Sequence, residues 1–269
     1  MRFFGKSERL GDAMKYYRES CEILYKREPA KGIFDLIVDA EKFAGEVRPG
    51  QFVHVLVPGK TLRRPISVCD FDAETGIIRL VIQIRGEGTE ILSKKRIGDT
   101  LDLIAPLGRG FDLGDTGRKA LFVGGGIGTP PLLAAAKPFG KNATVLLGFR
   151  NQDSIILARD FALAGCRVFV ATDDGSMGYR GPVTDLMKPE DGRAVFACGP
   201  APMLKKVGRF AEETGIPCQI SLEQRMACGI GACLGCSFRI RKGGRESYAR
   251  VCSDGPVFDS REVVWEEER

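Results

Sequence analysis

The sequence predicts a multidomain β + α/β chain: an antiparallel β-barrel, a parallel-sheet α/β domain and a small cysteine-bound module near the C-terminal end. Three observations predict it. Up to about residue 114, short runs of strand character are separated by turns, with little helical spacing, as in an antiparallel barrel. Beyond that point short apolar strands alternate with helix-length stretches. A glycine-rich turn follows the first of them, as in a parallel sheet covered on both faces. Near the end stand Cys228, Cys233 and Cys236, spaced C-x4-C-x2-C and answered by Cys252. The expected units are an N-terminal extension over 1–18, the barrel over 19–114, the α/β domain over 115–217 and the cysteine module over 218–269.

Residues 1–18 are polar and charged, with Tyr16 and Tyr17, and read as an extension or a short helix. From Cys21 the pattern turns to strands: Cys21, Ile23 and Tyr25 alternate with Glu22, Leu24 and Lys26. Further strands are expected over 33–38, over 51–57 after the Arg48-Pro49-Gly50 turn, over 76–84, and over 101–104. A helix is expected over 89–95, with Thr89 as its cap. In the second half, strands are expected over 120–123, 143–147, 167–171, 194–198 and 218–222. Helices are expected over 132–137, 155–164 and 201–214. Thr129 suits an N-cap, and Pro130 the first helical position, where a missing N–H costs nothing.

Several stretches carry chemistry. Arg63-Arg64-Pro65-Ile66-Ser67 begins a strand after a Pro58-Gly59 turn. A forked guanidinium there suits a diphosphate, and the Ser67 hydroxyl suits the edge of a flavin; by themselves the residues are equally a surface arginine pair. Gly86-Glu87-Gly88-Thr89 offers backbone N–H groups to phosphate, or is an ordinary capped loop. The run Gly124 to Pro131, with Gly125, Gly126, Gly128 and Thr129, lets a pyrophosphate approach a strand-to-helix turn. It is not a G-x-G-x-x-G fingerprint, because Thr129 stands where the last glycine would. The next strand ends in Gly148-Phe149-Arg150, without an acidic ribose ligand, so the site is of another α/β kind. Cys198, Gly199 and Pro200 close a later strand at the same carboxyl edge, where a thiol and a glycine can face a nicotinamide. Thr172-Asp173-Asp174-Gly175-Ser176 fits a ribose-facing loop equally loosely. His54, the one histidine, lies mid-strand and reads as a half-buried strand residue.

The cysteine spacing is that of a plant-type [2Fe–2S] site. Gly229, Gly231 and Gly235 let the backbone wrap closely and turn amides toward the sulfurs. Fifteen residues separate Cys236 from Cys252, enough for a hairpin with a turn at Lys242-Gly243-Gly244. Structural zinc sites more often show two C-x2-C pairs, and disulfides do not suit a chain without a secretory signal. Of nine cysteines, Cys21, Cys69, Cys166, Cys198 and Cys218 remain, an odd number that suits a reducing compartment. Hydrophobic content of 43% and charged content of 28% are ordinary for a globular protein. A formal charge of +5 without a long basic run is no argument for nucleic acid. No apolar run reaches transmembrane length, so the expectation is a cytoplasmic protein with no membrane segment.

In this order the motifs resemble the ferredoxin-reductase superfamily. Within it the chain looks like the electron-transfer subunits of dihydroorotate dehydrogenase B, most specifically in residues 221–236 and 248–258. The resemblance covers nearly everything from about residue 19. It implies FAD on the barrel, with Arg64 on its phosphates, Pro65, Ile66 and Ser67 at the flavin, Val81, Ile82 and Gln83 lining it, and Gly88 and Thr89 on the phosphates. It implies NAD on the glycine turn, with Cys198, the candidate catalytic residue, near the nicotinamide beside Gly199 and Pro200. It implies that Cys228, Cys233, Cys236 and Cys252 hold the cluster. It further implies a separate FMN-containing dihydroorotate dehydrogenase catalytic subunit as partner, in a heterotetramer of two of each. The competing expectation keeps the cofactors and changes the partner, as in a sulfide dehydrogenase or a ferredoxin:NADP+ reductase. Four cysteines with no aspartate among them favour the first. A zinc-stabilised binding module on the same scaffold is the third.

Overall fold

The computed structural model describes residues 15–265. Its first half contains β1 (Tyr17–Ala30), β2 (Ile33–Asp39), β3 (Phe52–Val55), β4 (Arg64–Asp72), β5 (Ile77–Gln83), the short helix α1 (Glu87–Ser93) and β6 (Thr100–Leu107). These strands close an antiparallel barrel in the order β1-β2-β5-β4-β3-β6. Alternation decides what fills it. Ile23, Leu36, Val38, Val53, Val55, Leu80 and Leu103 point inward and are fully buried.

The second half contains β7 (Ala120–Gly125), α2 (Leu133–Ala136), β8 (Ala143–Phe149), α3 (Ala158–Leu163), β9 (Arg167–Thr172), β10 (Tyr179–Arg180), β11 (Val195–Cys198), α4 (Ala201–Thr214) and β12 (Cys218–Ser221). Then come the hairpin β13 (Ser237–Lys242) and β14 (Arg245–Arg250), and the last strand β15 (Val257–Asp259). One sheet runs β10-β9-β8-β7-β11-β12-β15, parallel except for β15, which is antiparallel to β12. Phe122 and Phe196 stack on one face of this sheet with Phe139 edge-on to Phe122, and Leu146, Leu204 and Val207 pack on the other. A third apolar cluster joins Phe52 and Leu107 of the barrel to Cys236, Ala249, Val251, Cys252 and Phe258. The cysteine module thus leans on the outside of the barrel. Among the described residues no helix is long and apolar enough to cross a membrane.

Five local expectations are corrected. Tyr17 and Arg18 are no extension: they begin β1, where Tyr17–Glu22 pairs with Ala105–Thr100, so the boundary at 18 falls inside a strand. Residues 1–14 lie outside the described residues. The boundary at 217 cuts the α/β sheet, because β12 pairs with β11 and β15 with β12. The helix expected from Thr89 starts earlier, with Gly86 at its cap; the Thr89 hydroxyl reaches back to accept the Arg85 N–H at 2.8 Å. Thr129 holds the N-cap position with Pro130 next, as expected, but of a 3-10 turn and without a side-chain cap bond, and the helix expected over 132–137 shrinks to α2 between 3-10 turns. The helix expected over 155–164 shrinks to α3, because Leu157 takes a left-handed φ of 62° before it.

Barrel and α/β domain are clasped by charge. Asp35 on β2 is 1% exposed and accepts from Arg79 on β5 and Arg27 on β1. Arg79 also reaches Asp160 of α3 at 2.5 Å, across the domain junction. Lys137 meets Asp70 of β4 at 2.8 Å in the same crevice.

Candidate redox site

Three parts of the fold line one cavity of about 240 Å³ at the domain junction. Pro65, Ile66 and Ser67 come from β4, and Val81, Ile82 and Gln83 from β5, with Thr89 beyond them. Ile127, Pro130 and Cys198 come from the carboxyl edge of the parallel sheet. Glu223, Gln224 and Met226 come from the segment that leads into the cysteine loop. Sequence reasoning missed Phe52, Arg85 and the 221–226 stretch as lining residues. Only the resemblance in Ser221-Leu222-Glu223 pointed there.

Arg64 is not in that lining. It lies at the start of α1, where a β-carbon on Gly88 would stand 2.7 Å from its Nε. Its Nη1 donates to the Leu62 carbonyl at 2.7 Å, which holds the guanidinium against the backbone of Gly88. The structure thus brings Arg64, Gly88 and Thr89 to one corner, a cation beside a helix start. That combination suits a diphosphate.

The glycines of the second turn divide into two jobs. A β-carbon on Gly128 would meet Gly199 at 2.6 Å, and one on Gly125 would meet Met203 Sδ at 2.7 Å and Pro200 at 2.9 Å. These glycines let the turn after β7 pack against the turn after β11. Gly126, with φ of 52°, has nothing within 4 Å and faces open space. The Thr129 hydroxyl is buried without a partner, near Gly124. Cys198 is buried beside Ser221, and burial pushes its thiol up to about 12.

The cysteine loop is built for sulfur. Each of the four thiols receives a backbone N–H: Cys252 Sγ from Gly231 at 3.2 Å, Cys228 Sγ from Ala232 at 3.3 Å, Cys233 Sγ from Gly235 at 3.5 Å, and Cys236 Sγ from Cys252 at 3.4 Å. The thiols also fall into couples, Cys228 with Cys233 and Cys236 with Cys252. Among the described residues no three His, Cys, Asp or Glu side chains close on a single ion. Two couples ringed by amides fit a two-iron cluster with two thiolates on each iron. Burial works to raise the Cys228 thiol, but the Ile230, Cys233 and Ala232 amides outweigh it and bring it down to about 7. Burial and the neighbouring Cys236 push Cys252 up to about 12.

Backbone conformation shapes the loop. Gly229 and Gly231 have φ of 73° and 83°, and Leu234, between two ligand positions, takes 60° while 63% exposed. Arg250 braces it, donating to the Gly231 carbonyl at 2.9 Å while paired with Asp254. The hairpin closes at Gly243-Gly244, both with positive φ, the two-residue turn that matches strand twist. His54 is fully buried, not half-buried, and stands directly behind Gly229. Burial first, then Arg63, push its imidazole down to about 4, while the backbone of Cys228 pulls the other way.

Comparison with known proteins agrees with this geometry. Residues 223–264 match the family model of the iron–sulfur cluster binding domain of dihydroorotate dehydrogenase B. The chain is 40% identical over 258 residues to the protein of Geobacillus thermodenitrificans named dihydroorotate dehydrogenase B (NAD(+)), electron transfer subunit, covering 92% of this chain and 98% of that one. Its likeness to the protein of the same name from Desulforamulus reducens is 42% over 239 residues, covering 85% and 91%. Among solved structures, NADH-dependent reduced ferredoxin-NADP oxidoreductase superposes with a TM-score of 0.80 at 35% identity, covering 91% of this chain and 90% of that one. The ferredoxin reductase of carbazole 1,9a-dioxygenase, at 19% identity, shares the fold with a TM-score of 0.63. The chain therefore belongs to the family of dihydroorotate dehydrogenase B electron-transfer subunits.

Proposed function

We propose that this chain carries electrons between an FMN-containing dihydroorotate dehydrogenase catalytic subunit and NAD+, using FAD and a [2Fe–2S] cluster that it holds itself. When bound, the cluster supplies one-electron transfer, the flavin both one- and two-electron transfer, and the nicotinamide hydride transfer. The chain's own residues position these groups. Arg64, Gly88 and Thr89 take the FAD diphosphate, and Ser67 with Pro65, Ile66, Val81, Ile82 and Gln83 walls the ring. The turn at Gly125, Gly126, Gly128 and Thr129 takes the NAD diphosphate. Cys198, Gly199 and Pro200 lie on the nicotinamide side. Cys228, Cys233, Cys236 and Cys252 ligate the irons. Exposed Cys233 and Leu234, with Ile230, form the face that meets the partner.

The observation that carries this reading is the shared cavity: flavin-side strands, nicotinamide-side turn and the approach to the cysteine loop all line it. The five cysteines outside the loop are free thiols, which supports a reducing, cytoplasmic setting. Anaerobic co-purification with the FMN subunit tests the assignment. Expected are FAD, two irons and two sulfides per chain, and dihydroorotate-dependent reduction of NAD+. Cys252→Ser should lose the cluster and that coupled activity while NADH still reduces the flavin. Normal iron content in this variant would refute the ligand assignment. FAD and iron without any coupling to dihydroorotate would move the partner to another acceptor reductase.

A further inference from the structure

His54 sits between the two redox sites. It lies mid-strand on β3, with Pro65 of the flavin-side strand β4 as its neighbour on one side and Ile104 of β6 on the other. Strand alternation sends Val53 and Val55 into the barrel core. It sends Phe52 and His54 outward, where Phe52 packs with Cys236 and Cys252. The imidazole is 0% exposed; it faces the backbone of Cys228, yet neither ring nitrogen completes a hydrogen bond of normal geometry within the chain. The ring lies against the cysteine loop: a β-carbon on Gly229 would stand 2.5 Å from Nδ1. Gly229 directly follows Cys228.

An imidazole always carries at least one N–H, and a buried donor without an acceptor costs its full desolvation. Besides the backbone of Cys228, the acceptors that this loop presents once loaded are thiolate and inorganic sulfurs. We propose that His54 is a positioning residue of the cluster site, donating a hydrogen bond to the sulfur side of the loaded loop and packing β3 against Cys228. The inference rests on Cys228, Cys233, Cys236 and Cys252 being the cluster ligands. A donor aimed at the sulfurs stabilises the reduced, more negative cluster, and so holds its potential up. The same contact makes His54 the packed link between the flavin-side strand and the cluster.

Because His54 is the only histidine in the chain, a histidine label is site-specific. The wild-type complex is prepared with ¹⁵N-histidine and its cluster reduced for pulsed electron paramagnetic resonance. A ¹⁵N hyperfine coupling is expected; a reduced-cluster signal without it overturns the proposal. Absence of any cluster signal, iron or sulfide overturns the ligand assignment, and the proposal with it. His54→Phe keeps a packed ring and removes both nitrogens. With FAD, iron and sulfide retained, its oxidised-to-reduced cluster ratio at fixed potential should rise about tenfold, a midpoint about 59 mV lower for one electron. His54→Asn, which returns a donor near the position of Nδ1, should recover part of the shift. An unchanged midpoint in His54→Phe overturns the proposal. Should that variant lose its cluster, the labelled wild type decides.

Discussion

Cys198 shows how burial narrows the chemistry open to a residue. Its thiol lines the cavity but is pushed up to about 12, so it stays protonated at any working pH. On the proposed reading it borders the nicotinamide without being a nucleophile or an acid–base group. Cys198→Ser should therefore cost far less than the roughly hundredfold or more that loss of a general acid–base catalyst costs. Stopped-flow reduction of the bound flavin by NADH, followed across neutral to mildly alkaline pH, checks this: both forms should give the same flat profile. Cys228 is set the other way by its amides, although both residues are cysteines in glycine-rich turns. That difference was not legible in the sequence, because it depends on which backbone N–H groups face each sulfur. What was legible is that four thiols spaced around glycines come together in one loop; their role as ligands is part of the proposal.

Elements were legible where a period was clear. The helix over 201–214 has the bounds expected of it, and the turn at Gly243-Gly244 sits where its glycines place it. They were hidden where pairing partners are distant. Tyr17 looks like tail sequence until Ala105 pairs with it, and β15 has three residues and no periodicity to announce it. The glycines after β7 were legible as a close approach, but not as an approach of one turn to another, since Met203 and Gly199 lie more than seventy residues away. The junction of β4 with α1 yields a prediction at this scale. Arg64→Ala removes the cation that Gly88 leaves room for. FAD should then bind more weakly by about 1.5–3 kcal/mol, roughly tenfold to a hundredfold. Flavin retention on gel filtration and a titration of the apoprotein measure it, and unchanged affinity would remove Arg64 from the phosphate site.

On the scale of the whole molecule, the clasp of Asp35, Arg79 and Asp160 fixes the barrel against the α/β domain. Arg79→Ala would leave Asp35, 1% exposed, with only the half-exposed Arg27. Breaking a buried pair in this way costs about 3–5 kcal/mol. A matching drop in urea midpoint is expected, together with a cavity whose two walls no longer hold register, seen as slower flavin reduction by NADH. A stability loss below about 1 kcal/mol would place the clasp among surface pairs of little worth.

The third apolar cluster has a consequence for biogenesis. Two of the proposed ligand cysteines, Cys236 and Cys252, are packed together with Phe52 and Leu107 of the barrel. The hairpin that carries the loop has no core of its own and borrows one from a neighbour finished earlier along the chain. Iron delivery is therefore expected late in maturation. The expected recipient of iron and sulfide is a chain whose barrel has already folded, because Phe52 and Leu107 complete the packing around Cys236 and Cys252.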